Sequence, residues 1–413
     1  MATPSKKPGK TSKRSAERAR AKAATKKRAS PPASKRQAPR IPPKGPLTLK
    51  QARAVVLARP EPQRAMAAAG AVRRRAPGAV AKPAVAPLAA PATPQTVETA
   101  RRLLAMQQHE EMKQRTRDYK ATLALLQRRG VKGLPEKAPP AKAGTVAAPK
   151  RRRAGGAPIT RAAASGPLRV FAEGDSWFDY GVPLFGGGVI PRLEDRLGVP
   201  ILNLAKGGDE TRFMLGVKQR QLIARHLADG CPDGQPWDLM LFSGGGNDIV
   251  DEPLALWLHP FDPTKSPKQL LNQPRLSTAL AMVQAAYEDL ISLRNQLSPG
   301  THLAFHGYDF AIPDGRGICH LGPWLKPAFD LHGYPADLAV STAVVREMLT
   351  QFGAMLAALA KKPGITFINA QGGLPPVKAS WHNELHPSKA GFKQVADRFK
   401  AEIKVLFPGR VVA

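Results

Sequence analysis

The sequence predicts an α/β protein with a parallel sheet, and three observations predict it. From residue 167 onward, short apolar runs alternate with helical patterns, the arrangement of parallel strands joined by crossover helices. Glycines follow several of those runs, where a strand must hand the chain over to a turn. Charge is segregated as well: residues 1–166 hold 39 of the 63 Lys+Arg and 7 of the 31 Asp+Glu, leaving 24 of each for residues 167–413. The whole formal charge of +32 therefore sits in the first part, and only the second has the composition of a packed domain.

Strands fit residues 168–172, 200–204, 239–243, 302–305 and 365–369, and helices fit 189–197, 211–228, 276–297, 336–359 and 388–406. Two long connections, 249–274 and 309–334, show no clear periodicity. Both leave the C-terminal ends of strands, where ligands bind in parallel α/β sheets, so they are candidate pocket walls. Ahead of this domain, residues 1–95 are Ala, Pro, Lys and Arg without an aromatic, a composition read as disordered. Residues 96–130 lack proline and carry helix formers, so a solitary or docking helix is expected, stopped by Gly130. Its seven-residue recurrence, Ala105, Met112, Tyr119 and Leu126, has polar companions and makes a poor coiled-coil seam. Residues 131–166 read as a second Pro, Ala and basic linker.

No run of about 18 apolar residues and no apolar stretch after the basic start is present, which disfavours a membrane span or a secretory signal. A cytoplasmic protein is the expectation. Cys231 and Cys319 form neither a disulfide framework nor a metal-ligand spacing and are expected to be unpaired thiols. The Gly-rich segments lack the Gly-Lys-Ser/Thr ending of a phosphate-binding loop, and they lack the dinucleotide fingerprint. His382 and His386 are four apart, but Pro387 breaks a helix there and no carboxylate pattern completes a metal site.

The chemistry is organised around Val170-Phe-Ala-Glu-Gly-Asp-Ser-Trp177, in which Gly174 lets the chain turn so that Ser176 stands at the end of the first strand. A serine is a weak nucleophile and needs a base within hydrogen-bond reach and donors for an oxyanion. Glycines after the second strand, Gly207 and Gly208, permit a close backbone N–H. Asn247 follows the third strand in Ser243-Gly-Gly-Gly-Asn-Asp248, and His386, in Trp381-His-Asn-Glu-Leu-His-Pro387, offers the base.

Taken in order, Gly174-Asp175-Ser176, Gly208, Gly245-Gly246-Asn247-Asp248 and Asn383-Glu-Leu-His386 resemble the blocks of the SGNH (GDSL-type) hydrolase superfamily, over about residues 168–406. The resemblance implies a three-layer αβα sandwich on a flavodoxin-like, five-stranded parallel sheet. It also implies Ser176 as nucleophile and His386 as base. The Ser176 N–H, the Gly208 N–H and the Asn247 side chain would form the oxyanion hole, with no cofactor and no metal. One departure stands out: the family usually has Asp three residues before its His, and this chain has Asn383. An asparagine can hold the imidazole tautomer but cannot stabilise an imidazolium by charge. Glu384 is expected to project elsewhere, and Asp309 or Asp314 could serve only if their connection folds back.

The expected function is hydrolysis of an ester, of a small acyl, lipid or acetylated-carbohydrate type, through an acyl-enzyme on Ser176. The contrasting reading is a weakly active or inactive scaffold that binds. In either case the basic residues 1–166 are candidates to hold nucleic acid or another polyanion through counterion release.

Overall fold

The computed structural model describes residues 41–58 except 43, residues 94–134, and residues 166–412 except 183–184 and 319–320. Most of the expected disordered tail and of the 131–166 linker, the polyanion-binding role given to them, and Cys319 lie outside the described residues. Five strands, β1 (Val170–Gly174), β2 (Ile201–Asn203), β3 (Leu239–Ser243), β4 (His302–Gly307) and β5 (Ile365–Asn369), form one all-parallel sheet in the order β2-β1-β3-β4-β5. The helices are α1 (Leu49–Leu57), α2 (Pro94–Arg129), α3 (Val189–Leu197), α4 (Thr211–Met214), α5 (Val217–Asp229), α6 (Leu254–Trp257), α7 (Pro267–Leu270), α8 (Gln273–Leu297), α9 (Lys326–Leu331), α10 (Leu338–Leu359) and α11 (Lys389–Leu406). Helices α3 and α11 pack together, as do α5, α8 and α10, giving the helix–sheet–helix layers of a flavodoxin-like α/β fold.

Every residue of β1 and β3 is buried, as central parallel strands covered on both faces require. The strand order reverses between β1 and β3, so the loops after these strands part there and leave a crevice, the usual ligand position in such sheets. Strand β1 continues past Ala172 through Glu173, which pairs with Phe242 and is fully buried. The glutamate lies outside the strand expected over 168–172; here its carboxyl accepts from Gln219 Nε2 at 2.6 Å, and burial pushes its pKa well up. The single helix expected over 211–228 is two, because Gly216 is extended (φ −74°, ψ 179°) and opens α5.

The N-terminal region differs most from expectation. Residues 44–58 fall in the stretch read as disordered, yet they carry the capped helix α1. Thr48 accepts from Gln51 N, and the Gln51 side chain accepts from Thr48 N at 3.0 Å, a capping box. Leu49 and Ala52 are buried, and Arg53 pairs with the buried Glu194 of α3 at 2.5 Å. Leu47 joins Val131 through a parallel bridge, donating to Gly130 O at 3.0 Å and accepting from Lys132 N at 2.9 Å. Composition alone suggested disorder here because Ala, Lys and Arg dominate; the few apolar residues suffice since a partner surface already exists.

Helix α2 is that partner. Its Tyr119, Leu123 and Leu126 are buried, and the Tyr119 ring lies 5.6 Å from that of Trp237. Arg115 donates to Asn203 O at 3.2 Å and Ala205 O at 3.4 Å, and pairs with Asp179 at 2.8 Å. The helix thus covers the β2 edge of the sheet, a position that otherwise presents unpaired backbone groups. Among the described residues the hydrophobic core is continuous from Leu47 to Val411. It begins well before Pro167.

Candidate active site

Gly174 ends β1 against its neighbour: a Cβ there would stand 2.6 Å from Ser243 O, so only glycine lets the two strands meet at this point. The chain then turns tightly, with Phe178 N and Asp179 N donating to Asp175 O at 3.1 and 3.0 Å, and Ser176 sits on this turn. Asp175 points inward. Its carboxyl accepts from Trp177 N at 2.9 Å, Ser243 Oγ at 3.3 Å and the Tyr308 hydroxyl, while burial raises its pKa to about 7. Behind it, Ser243 Oγ also meets Nδ1 of the fully buried His306 at 3.1 Å. Asp175 therefore fixes the turn from beneath.

The segment before α11 brings the histidine to this turn. Trp177 Nε1 donates to Leu385 O at 3.1 Å, tying the two loops together. His386, 6% exposed, places Nε2 at 2.7 Å from Ser176 Oγ and Nδ1 at 2.9 Å from Asn383 Oδ1. The same Asn383 oxygen accepts from Leu385 N at 3.0 Å and His386 N at 2.9 Å, which identifies it as the carbonyl. Nδ1 of His386 must then carry the proton, leaving Nε2 free to accept from the Ser176 hydroxyl. Burial, and after it the neighbouring His382, hold the His386 pKa down to about 3, so the ring is neutral at neutral pH.

The amide nitrogen of Asn383 is also used. It donates to the Tyr180 hydroxyl at 3.0 Å, and that hydroxyl lies 2.8 Å from His382 Nδ1. The Tyr180 ring stacks on His386 at 4.3 Å with 27° between planes. Ser176, His386, Asn383, Tyr180 and His382 thus form one hydrogen-bonded line. Tyr180 and His382 were not legible as part of it, although Tyr180 follows Ser176 by four residues in the same loop.

The carboxylates weighed as substitutes for an aspartate are engaged elsewhere. Asp309 accepts from Phe310 N, Gly372 N and Leu374 N at 2.8, 2.6 and 2.7 Å. Glu384 accepts from Gly315 N, Trp324 N, Leu325 N and Lys326 N at 2.6–3.0 Å, and Asp314 pairs with Arg316 at 2.7 Å. The expectation for Glu384 matches this position. Asp309 and Asp314 do not fold back onto His386; they and Glu384 pin the 309–334 connection by its backbone, which replaces the regular structure that connection lacks.

On the opposite rim, Gly208 adopts φ +85°, a conformation open to glycine, and a Cβ on its neighbour Gly207 would lie 3.7 Å from Ser176 Cβ. Asn247 donates through Nδ2 to Asp209 O at 2.9 Å, and Asp248 accepts from Thr211 N and Thr211 Oγ1 at 3.0 and 2.6 Å. The loops after β2 and β3 are therefore laced to each other beside the serine. A cavity of about 40 Å³ opens between Ser176 and Asn247, walled by Val250 from one long connection, Ala311 and Leu325 from the other, and Met348 and Leu349 of α10. In the sequence the α10 wall reads only as part of a helix over 336–359. Among the described residues no group of His, Cys, Asp and Glu is arranged to hold a metal, and no helix is long and apolar enough to cross a membrane.

A parallel flavodoxin-like sheet with a serine at its C-terminal rim, paired to a histidine from the segment before the last helix, defines the SGNH class of hydrolase. Residues 172–394 match the GDSL-like Lipase/Acylhydrolase family, and the chain belongs to that family. No curated protein matches it. Similar solved structures include the lipase Lip_vut3 from a goat rumen metagenome, with 16% identity over 57% of this chain and 96% of that one and a TM-score of 0.37. An extracellular lipase from Streptomyces rimosus shares 17% identity over 57% and 99%, with a TM-score of 0.38. Est24, a carbohydrate acetylesterase from Sinorhizobium meliloti, shares 14% over 58% and 100%, with a TM-score of 0.36. Likeness at this level assigns no substrate.

Proposed function

We propose that the chain is a serine ester hydrolase acting through an acyl-enzyme on Ser176. The observation that carries this reading is the 2.7 Å contact of Ser176 Oγ with an imidazole whose other nitrogen is held by Asn383. Ser176 Oγ attacks the ester carbonyl carbon as its proton passes to His386 Nε2, and the oxyanion develops toward the Ser176 N–H, the Gly208 N–H and Asn247. Collapse breaks the carbonyl–alkoxy bond, and His386 returns the proton to the departing alcohol. Water then attacks the acyl-serine, giving its proton to His386. The acid leaves and Ser176 recovers its proton. A fluorophosphonate probe tests the reading directly: Ser176 is labelled in the wild-type chain and not in Ser176→Ala, and an unlabelled wild-type chain refutes it.

Asn383 gives this site a distinct pH behaviour. The imidazolium formed during attack has no carboxylate beside it, and His386 is already depressed to about 3. The acid limb of kcat/KM is therefore expected well below the usual histidine range near 6.5. Asn383→Asp supplies the charge, which raises the His386 pKa, moves that limb toward neutral pH and increases kcat by about tenfold or more. Room for the change exists: Tyr180 can donate to the new carboxylate while His382 switches tautomer. A pH–rate profile of the variant with a neutral ester checks it; an unmoved limb with a lower kcat would show that the amide is required as such.

A further inference from the structure

We propose that the cavity between Ser176 and Asn247 is an acyl-chain pocket that admits acyl groups of two or three carbons and excludes longer ones. The proposal rests on the acyl-enzyme reading above. Its side of the reaction follows from proton bookkeeping. The leaving oxygen must stand within reach of His386 Nε2 to take up its proton, and the carbonyl oxygen must face the Asn247 rim. Ser176 and Asn247 line the cavity and His386 does not. A group occupying it is consequently attached through the carbonyl carbon, on the acyl side.

The pocket is small, apolar and stiff. Ala311, Leu325, Met348 and Leu349 are each more than nine-tenths buried. Met348 and Leu349 belong to the 22-residue helix α10, which packs on β4, β5 and α8 and has little freedom to retreat. Leu325 is held from behind, since its N–H and those of its two neighbours donate to the buried Glu384. Size sets the limit. A cavity of about 150 Å³ accommodates the six carbons of benzene, so about 40 Å³ accommodates roughly two carbons beyond the carbonyl. An acetyl group fits, propionyl fills the space, butyryl exceeds it, and an octanoyl chain meets the side of α10.

The experiment uses the full chain and para-nitrophenyl acetate, propionate and octanoate, comparing kcat/KM within each protein so that the amount of folded enzyme cancels. A methylene too many in a closed pocket costs about 10-fold or more; octanoate is therefore expected at least about 100-fold below acetate. Met348→Ala lengthens the pocket and should raise the octanoate-to-acetate ratio by about 10-fold or more. Ala311→Leu fills it and should lower the propionate-to-acetate ratio. Exchanging para-nitrophenyl for naphthyl acetate should give the same ratio in wild type and Met348→Ala, because the alcohol lies elsewhere. Octanoate turned over as fast as acetate by the wild type, or Met348→Ala changing both chain lengths alike, overturns the pocket while labelled Ser176 leaves the esterase reading standing. Absence of both labelling and turnover with every ester overturns the two together.

Discussion

Ser176→Ala is expected to lower kcat on a short-chain aryl ester by about 10⁴- to 10⁶-fold, the range seen when one member of a serine–histidine pair is removed. The geometry makes the loss non-additive. Among the described residues Ser176 Oγ meets a base in His386 Nε2 at 2.7 Å, and His386 is neutral and held in the tautomer that accepts. His386→Ala should therefore cost nearly as much as Ser176→Ala, and the double variant should be no slower than the worse single one. Steady-state rates of the three variants, with the wild type run at the same concentration, decide the matter. Losses that multiply in the double variant would mean that the two residues act independently, and the acyl-enzyme mechanism would then be wrong.

The second large effect concerns the fold. A chain beginning at residue 167 is expected to lose cooperative thermal unfolding, whereas one beginning at residue 41 should melt with the full chain. Leu47, Leu49, Tyr119, Leu123 and Leu126 are each at least 95% buried in the common core. Emptying a single large apolar site typically costs about 2–5 kcal/mol, and a domain's whole stability is about 5–15 kcal/mol. Together these sites are worth about as much as that margin, and their removal bares Trp237 and the β2 edge as well. Arg115 adds a functional consequence, because it joins α2 to Asp179, three residues past Ser176, and to the backbone leading to Gly207 and Gly208. Calorimetry of the two shortened chains checks the expectation, and a sharp transition for residues 167–413 near the full-chain temperature would refute it.

The contrast shows what a sequence discloses. The five strands and the Ser176, Asn247 and His386 stretches were legible because each is local: an apolar run followed by a glycine, or a short polar block at a strand end. Tyr180 was not, since its role depends on Asn383 and His382, some 200 residues away, folding onto it. The same holds for Met348 and Leu349, whose spacing on α10 is that of any core-facing helix. Helix α1 was hidden by averaging, because a 9-residue helix with a capping box and a few apolar positions vanishes within a basic, Ala-rich stretch. Glu384 and Asp309 illustrate a further limit: composition shows carboxylates near the histidine but not that backbone N–H groups already claim them.

The docking of α2 also bears on how the chain is made. Tyr119 lies against Cys231, 112 residues later in the sequence. At about 5–20 residues per second, a ribosome needs roughly 6–22 s to supply that partner. During this interval the part of α2 that meets Trp237 and Cys231 has no partner, although α1, made earlier, can already cover another part. Synthesis thus has a window in which chaperones, or other copies of the nascent helix, compete for Tyr119, Leu123 and Leu126, and soluble yield should depend on translation speed between codons 119 and 237.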